Sequence, residues 1–309
     1  MKILITGASG FIGRHWLNAL ADEHDIVIVS RQDANNIKGL PLGRINIVKL
    51  EALTHLNDFD VILNLAGEPI IDKRWTAAQK EKICYSRWHI TDTLVKLLSI
   101  STPKPRVFIS ASAIGVYGTW NTKPQDETTP IRGISEQNPR QVDFAQQVCS
   151  TWEKKAFAAQ SELTRVCIIR IGIVLGHGGA LAKMKLPFTL GLGGKIASGK
   201  QGMSWIHIDD LTALMLRCLQ DPDFSGIYNG TAPNPVSNND FTQALGKQLQ
   251  RPTLFAVPAL VLNALFGESA SLLTQGQYIL PTRAINQGFQ FNYPTMATAL
   301  AQIYSKNIR

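Results

Sequence analysis

The run "KILITGASGFIGRHWLNAL", Lys2 to Leu20, joins a short apolar strand, a glycine turn and a helix with apolar residues at helical spacing. A strand of this kind, Lys2 to Thr6, feeding directly into a helix from Phe11 buries its faces best inside a parallel sheet covered by helices. Gly7, Gly10 and Gly13 are spaced GxxGxxG. Gly7 permits the tight turn, Gly10 lets the backbone approach a pyrophosphate, and Gly13 lets the helix pack on the strand. The unpaired N–H groups and positive dipole of the helix start favour phosphate. A second strand, "DIVIVSR", follows at the distance a βαβ unit needs. The phosphate turn is therefore assigned to Gly7, Ser9, Gly10, Phe11, Ile12 and Gly13.

The second strand ends in Ser30 and Arg31, where an NAD-selective site places a carboxylate for the ribose 2′-hydroxyl. A guanidinium there clamps a 2′-phosphate instead. The expectation is NADP(H), with Arg31 as the clamp and Ser30 assisting. Arg14 is a weaker candidate, read more simply as a solvated cation.

The pattern continues as α/β. "INIVKL", "DVILNLAG", "RVFISAS" and "RVCIIRIGIVLG" read as further strands, with helices through "AAQKEKICYSRWHITDTLVKLLS" and from Phe144 to Ala159. Ligands in such sheets bind beyond the carboxyl ends of the strands, which places Leu65, Ala66, Gly67 and Glu68 beside the cofactor. Of the 309 residues 45% are apolar and 17% charged, an ordinary globular composition. The net charge of +8 is spread without long basic blocks, which suits phosphate ligands better than a nucleic-acid track. Cys84, Cys149, Cys167 and Cys218 have no metal-like spacing. "MKILITGAS" reads as a strand and turn, so no signal peptide is expected, and "FAVPALVLNALF" is too short to span a bilayer. A reducing cytoplasm is the expected location, with buried thiols.

The motifs "TGASGFIG", "NLAG", "FISASAIGVYG", "RIGIVLG" and "WIHIDDL", in that order, resemble the extended short-chain dehydrogenase/reductases. "NLAGEPIIDKRW", "DFAQQVCSTWE", "GGALAKMKLPFTLGLGGKIASGKQGMSWIHIDD" and the C-terminal "VPALVLNALFGESASLLTQGQYILPTRAINQGFQF" are similar, more narrowly, to the YfcH-like epimerase/dehydratase subgroup, sometimes labelled cell-division-inhibitor-like. The resemblance covers nearly the whole chain. It implies a doubly wound α/β Rossmann domain, residues 1–175 plus about 203–231, and a smaller discontinuous substrate-side domain, 176–202 and 232–309. Pairing of helices with a second copy, as in many relatives, makes a homodimer an open option.

In active relatives a Ser or Thr after the fifth strand works with a Tyr-x-x-x-Lys helix. The Tyr moves a proton and the Lys holds the nicotinamide ribose and lowers the Tyr pKa. Ser112 matches the Ser position, although a small residue at a tight strand end explains it almost as well. Alignment on Glu153 puts Cys149 at the Lys position and Ala145 at the Tyr position, so neither ionisable group is present. Glu68 is a replacement candidate, balanced against a capping or salt-bridged carboxylate. Tyr117 has the right acid but fits a structural "VYG" corner better. Arg74, Trp75 and Lys195 are placed on the substrate side, Trp75 as a ligand contact rather than core; Arg74, Lys82 and Arg87 are cations for an anionic substrate or for the helix surface. His207 reads as structural. Sugar-nucleotide epimerases of this fold often carry Arg-Asp where this chain has Met203 and Ser204, so their diphosphate clamp is missing from its usual place, with Lys195 or Lys200 nearby left open as substitutes.

Three readings result. The first is an NADP(H)-dependent oxidoreductase or epimerase on a small substrate, with an unusual proton donor. The second is a non-catalytic NADP(H)-binding regulatory or redox-sensing protein, and the third a nucleotide-sugar epimerase or dehydratase.

Overall fold

Ile3, Leu4 and Ile5 of the first strand, β1 (Lys2–Thr6), are all fully buried, as a strand covered on both faces must be. Their side chains alternate. Ile3 and Ile5 pack with Trp16 and Leu17 of α1 (Phe11–Leu20), whereas Leu4 packs with Ile62, Leu94 and Phe108 on the other face. The computed structural model describes residues 1–20, 23–32, 45–118, 123–131 and 143–305.

β2 (Asp25–Val29), β3 (Ile45–Val48), β4 (Val61–Asn64), β5 (Val107–Ala113), β6 (Arg165–Ile171) and β7 (Gly226–Gly230) complete a seven-stranded sheet, every neighbouring pair parallel. Its order is β7-β6-β5-β4-β1-β2-β3. The chain winds outward from β1 in one direction and, from β4, in the other, leaving a crevice at the carboxyl ends of β1 and β4. This is the expected doubly wound Rossmann α/β fold. α2 (Ala77–Ile100) and α3 (Phe144–Phe157) cover one face; α1 and α5 (Ile208–Gln220) cover the other.

"RVCIIRIGIVLG", read as one strand, is two. The break falls at Gly172, where a methyl would come within 2.6 Å of the Ser204 carbonyl oxygen. Residues 173–175 then leave the central sheet to pair with Trp205–His207. A separate apolar cluster lies beyond this break, joining Leu175, Leu181, Met203, Trp205, Phe241 and Leu300. It is built by α4 (Gly179–Thr189), α6 (Asn238–Leu249) and a last helix, Met296–Tyr304, around the 203–207 strands. α7 (Ala259–Phe266) buries little more than Leu262. Among the described residues no helix is long and apolar enough to cross a membrane.

Candidate cofactor and substrate cleft

At the switch point Gly7 has φ +72°, and a methyl there would meet the Leu65 carbonyl oxygen at 2.5 Å. At Gly13 a methyl would reach the Ala8 Cα at 2.6 Å, so α1 presses directly on the turn. Among the described residues a methyl at Gly10 would meet only the Gly7 carbonyl, at 3.3 Å. The turn is closed by Gly10 N donating to Gly7 O at 3.1 Å. Phe11 does more than begin the helix: its ring lies against Gly176, Gly178 and Gly179 at the start of α4, and a methyl at Gly178 would come within 2.6 Å of it. Sequence reasoning did not find this contact, although "GHGG" was its visible mark.

Just past β2, Ser30 Oγ accepts from Gln32 N at 3.0 Å, and the exposed Arg31 guanidinium enters no ion pair among the described residues. Lys49 Nζ donates to the Arg31 carbonyl at 2.8 Å, bringing a second cation to this end. Nothing but its place after β3 signalled Lys49. Arg14 Nε is held by the Ser9 carbonyl at 2.8 Å.

The floor between β1, β4 and β5 is cross-tied. Thr6 Oγ1 donates to Asn64 Oδ1 at 2.7 Å, Asn64 Nδ2 donates to Thr91 Oγ1 at 2.8 Å, and Ala66 N donates to Thr6 Oγ1 at 3.2 Å. Leu65, Ala66 and Gly67 therefore leave β4 on a fixed path. Glu68 follows, its N–H held by Ser86 Oγ at 2.8 Å; its side chain is 27% exposed and stands 4.0 Å from Lys73 Nζ.

The 68–76 loop corrects two expectations. Trp75 is 8% exposed, its Nε1 donates to the Ile70 carbonyl at 2.7 Å, and its ring meets Phe144 edge-on at 4.9 Å. It is core, because Ile70, Ile83 and Phe144 enclose it and its one polar atom is satisfied internally. Arg74 donates to the Leu265 carbonyl at 2.8 Å and to that of Ala264, capping the C-terminal end of α7 rather than a substrate. Lys183 with Asp72, and Lys80 with Glu268 at 2.6 Å, add further ties across this edge. Lys195 lies elsewhere, lining an open depression of about 490 Å³ with Lys200, Ser237, Asn239 and Tyr278 but no residue of the glycine turn.

Ser112, the candidate for the reacting centre, and Tyr117, an acid that the sequence reading places rather in a structural corner, both have buried and committed hydroxyls. Ser112 is 2% exposed and donates to Glu153 Oε1 at 2.7 Å. Glu153 also receives Arg170 Nε and Nη2, both at 2.8 Å. Arg170 Nη1 donates to Tyr117 Oη at 2.9 Å, and Tyr117 donates to Asn229 Oδ1 at 2.9 Å. Burial pushes the Tyr117 phenol above its ordinary pKa, against the pull of Arg170. For Arg170 burial pulls the other way, and the bidentate carboxylate outweighs it, holding the guanidinium above its ordinary value. This network joins β5, α3, β6 and β7.

A model described as the NAD dependent epimerase/dehydratase family matches residues 3–229. The chain belongs to the NAD-dependent epimerase/dehydratase family. A second model, of a domain of unknown function, matches residues 257–303. An Arabidopsis thaliana protein described as a chloroplastic homologue of epimerase family protein SDR39U1 is 39% identical, over 98% of this chain and 86% of its own length. The crystal structure of human SDR39U1 (isoform 2) with NADPH superposes with a TM-score of 0.87 at 32% identity, covering 99% of this chain and all of that one. A UDP-glucuronic acid 4-epimerase from Bacillus cereus, 18% identical with a TM-score of 0.77 over 99% of this chain and 98% of its own, shares the fold.

On α3 the residues that the sequence reading aligns with a Tyr-x-x-x-Lys pair are Ala145 and Cys149. Ala145 is buried beneath Gly115, where a methyl would sit 3.4 Å from the Ala145 Cβ. The Cys149 thiol is buried and its pKa pushed up to about 12, chiefly by burial and then by Glu153, so it stays protonated. Met203, which the sequence reading aligns with the Arg of sugar-nucleotide epimerases, is buried, and Ser204 Oγ donates to the Gln277 carbonyl at 2.8 Å. His207 is structural as expected: its ring caps α5 through Asp209 N and pairs with Gln302 at 2.9 Å.

Proposed function

We propose that this chain binds NADP(H) on the Gly7–Gly13 turn and acts as an oxidoreductase or epimerase on a small substrate, using groups other than the Tyr/Lys pair. The observation that carries the reading is a phosphate turn over the α1 N-terminus whose Gly10 would meet only the Gly7 carbonyl among the described residues, with Arg31 outside any described ion pair at the end of β2. These residues fit a dinucleotide with a 2′-phosphate: backbone N–H groups for the pyrophosphate, a guanidinium for the extra charge. The NADPH in the human SDR39U1 structure supports the same choice. When bound, NADP(H) supplies or accepts a hydride. Glu68, the partly exposed carboxylate just past β4, is assigned the proton exchange, and Lys73 positions it. Ser112 and Tyr117 are assigned to holding the end of β5 through Glu153 and Arg170. The substrate side is assigned to residues 176–202 and 232–309.

The test is a fluorescence titration with NADPH and NADH, repeated on Arg31→Ala. Tighter NADPH binding that collapses to the NADH value in the variant supports the cofactor assignment; equal affinities in both proteins refute it. Glu68→Gln should then abolish NADPH consumption with a carbonyl substrate while leaving cofactor affinity intact. The second reading, an NADP(H)-responsive regulator, is favoured by Ala145 and Cys149 standing on α3 where the sequence reading aligns the Tyr and Lys. Steady NADPH consumption tied to one product rules it out. The buried Met203 weighs against a nucleotide-sugar substrate.

A further inference from the structure

With Cys149 where relatives carry lysine, the cation beside the nicotinamide ribose is unaccounted for. We propose that Arg87 of α2 supplies it, its guanidinium gripping the ribose hydroxyls from the neighbouring helix; this rests on the NADP(H) reading above.

Arg87 enters the right space from the other side. α2 and α3 lie together, joined by Trp88 Nε1 donating to the Val148 carbonyl at 3.1 Å and Trp152 Nε1 donating to Thr91 Oγ1 at 2.9 Å. The Arg87 guanidinium carbon stands 5.3 Å from the Trp152 ring centre, one turn beyond Cys149. Its charge reaches the Cys149 thiol itself. The side chain is also pinned. Nη1 donates to the Glu68 carbonyl at 3.0 Å and the Ile83 carbonyl at 3.2 Å.

The group lies flat beneath Gly67, at the carboxyl end of β4. A methyl on Gly67 would be 2.9 Å from Cζ, 3.0 Å from Nη2 and 3.2 Å from Nε. Residue 67 therefore has to be small for the guanidinium to lie there. Nε and Nη2 have no acceptor among the described residues, so one edge of the fork keeps free N–H groups. Two parallel donors of fixed spacing suit a pair of vicinal hydroxyls, which a single ammonium meets only as a point charge. In a sheet of this order the half of the crevice over β4 and β5 receives the nicotinamide end, while β2 receives the adenosine.

The experiment compares two ligands, NADPH and 2′,5′-ADP, which keeps the phosphorylated adenosine but has no nicotinamide ribose. Arg87→Met retains the packing over Trp152 and removes the donors. It should weaken NADPH about ten- to a hundredfold, the worth of a charge-assisted hydrogen bond, and leave 2′,5′-ADP unchanged. Cys149→Lys added to Arg87→Met should recover part of the NADPH affinity, because it restores a cation from α3. Equal weakening of both ligands would make Arg87 a mere support for the 67–68 turn, and no weakening of either would remove it from the site; both outcomes overturn the proposal. If the wild-type protein binds 2′,5′-ADP, the cofactor reading survives that failure; if it binds neither ligand, both fall.

Discussion

Glu153 takes three hydrogen bonds in a buried pocket, one from Ser112 and two from Arg170, and that fixes the behaviour of the residues around it. Glu153→Gln leaves the Arg170 charge buried without its counterion, which should lower the unfolding free energy by about 3–5 kcal/mol in a urea titration. Ser112→Ala removes one bond to a carboxylate that keeps both of its others, so the expected cost is ~1–2 kcal/mol, with NADPH affinity unchanged. A large affinity loss in Ser112→Ala with intact stability would return Ser112 to the reacting centre. The glycine turn was readable residue by residue, because each glycine answers a local backbone demand. Ser112, Tyr117 and Trp75 were not. What commits their polar atoms comes from α3, β6, β7 and Ile70, and no local pattern marks a hydroxyl that will be used up by an arginine 53 positions on.

Among the elements, the 68–76 loop and α7 are held by contacts that are mostly exposed. Arg74→Met should therefore change global stability by less than about 1 kcal/mol. It should nevertheless speed amide hydrogen exchange in α7 and residues 70–76, since α7 buries so little of itself. Unaltered exchange there would mean that α7 is held by its own packing. The N-terminus of α5 carries a pH response. Burial lowers the His207 pKa below its ordinary 6.5, partly countered by Asp209, so the folded state resists the proton that the unfolded chain accepts. Stability is then full above about pH 6.5 and declines as pH falls below it, by at most ~1.4 kcal/mol per unit. Asp210, raised by burial, acts with the opposite sign nearer the carboxylate range. Denaturation of wild type and His207→Gln between pH 8 and 5 checks this: the variant should lose the slope. At this scale β1 to β5 and the long helices were legible from period and length. β7, "GIYNG", was not read out, because two glycines and an asparagine in five residues carry no strand signal. Pairing with β6 makes it a strand.

For the molecule as a whole, the strand order places the crevice, and a ligand bound there should stabilise the fold. NADPH at about 100 times its Kd should add ~2.7 kcal/mol, seen as a rise in Tm that Arg31→Ala diminishes and that NADH at the same concentration does not match. Identical shifts for the two nucleotides would show that the end of β2 does not discriminate. The architecture followed from the alternation of strands and helices. The joining of the two core regions did not, because it depends on contacts such as that of Phe11 with the start of α4. That contact has a meaning for descent. A side chain on Gly178 would occupy the space of the Phe11 ring, and smaller residues at position 11 would leave Gly176, Gly178 and Gly179 facing a hole. The four positions form one unit of inheritance, able to drift only in concert. Lineages that remodel the region before α4 should carry the record of it in the first residue of the cofactor helix.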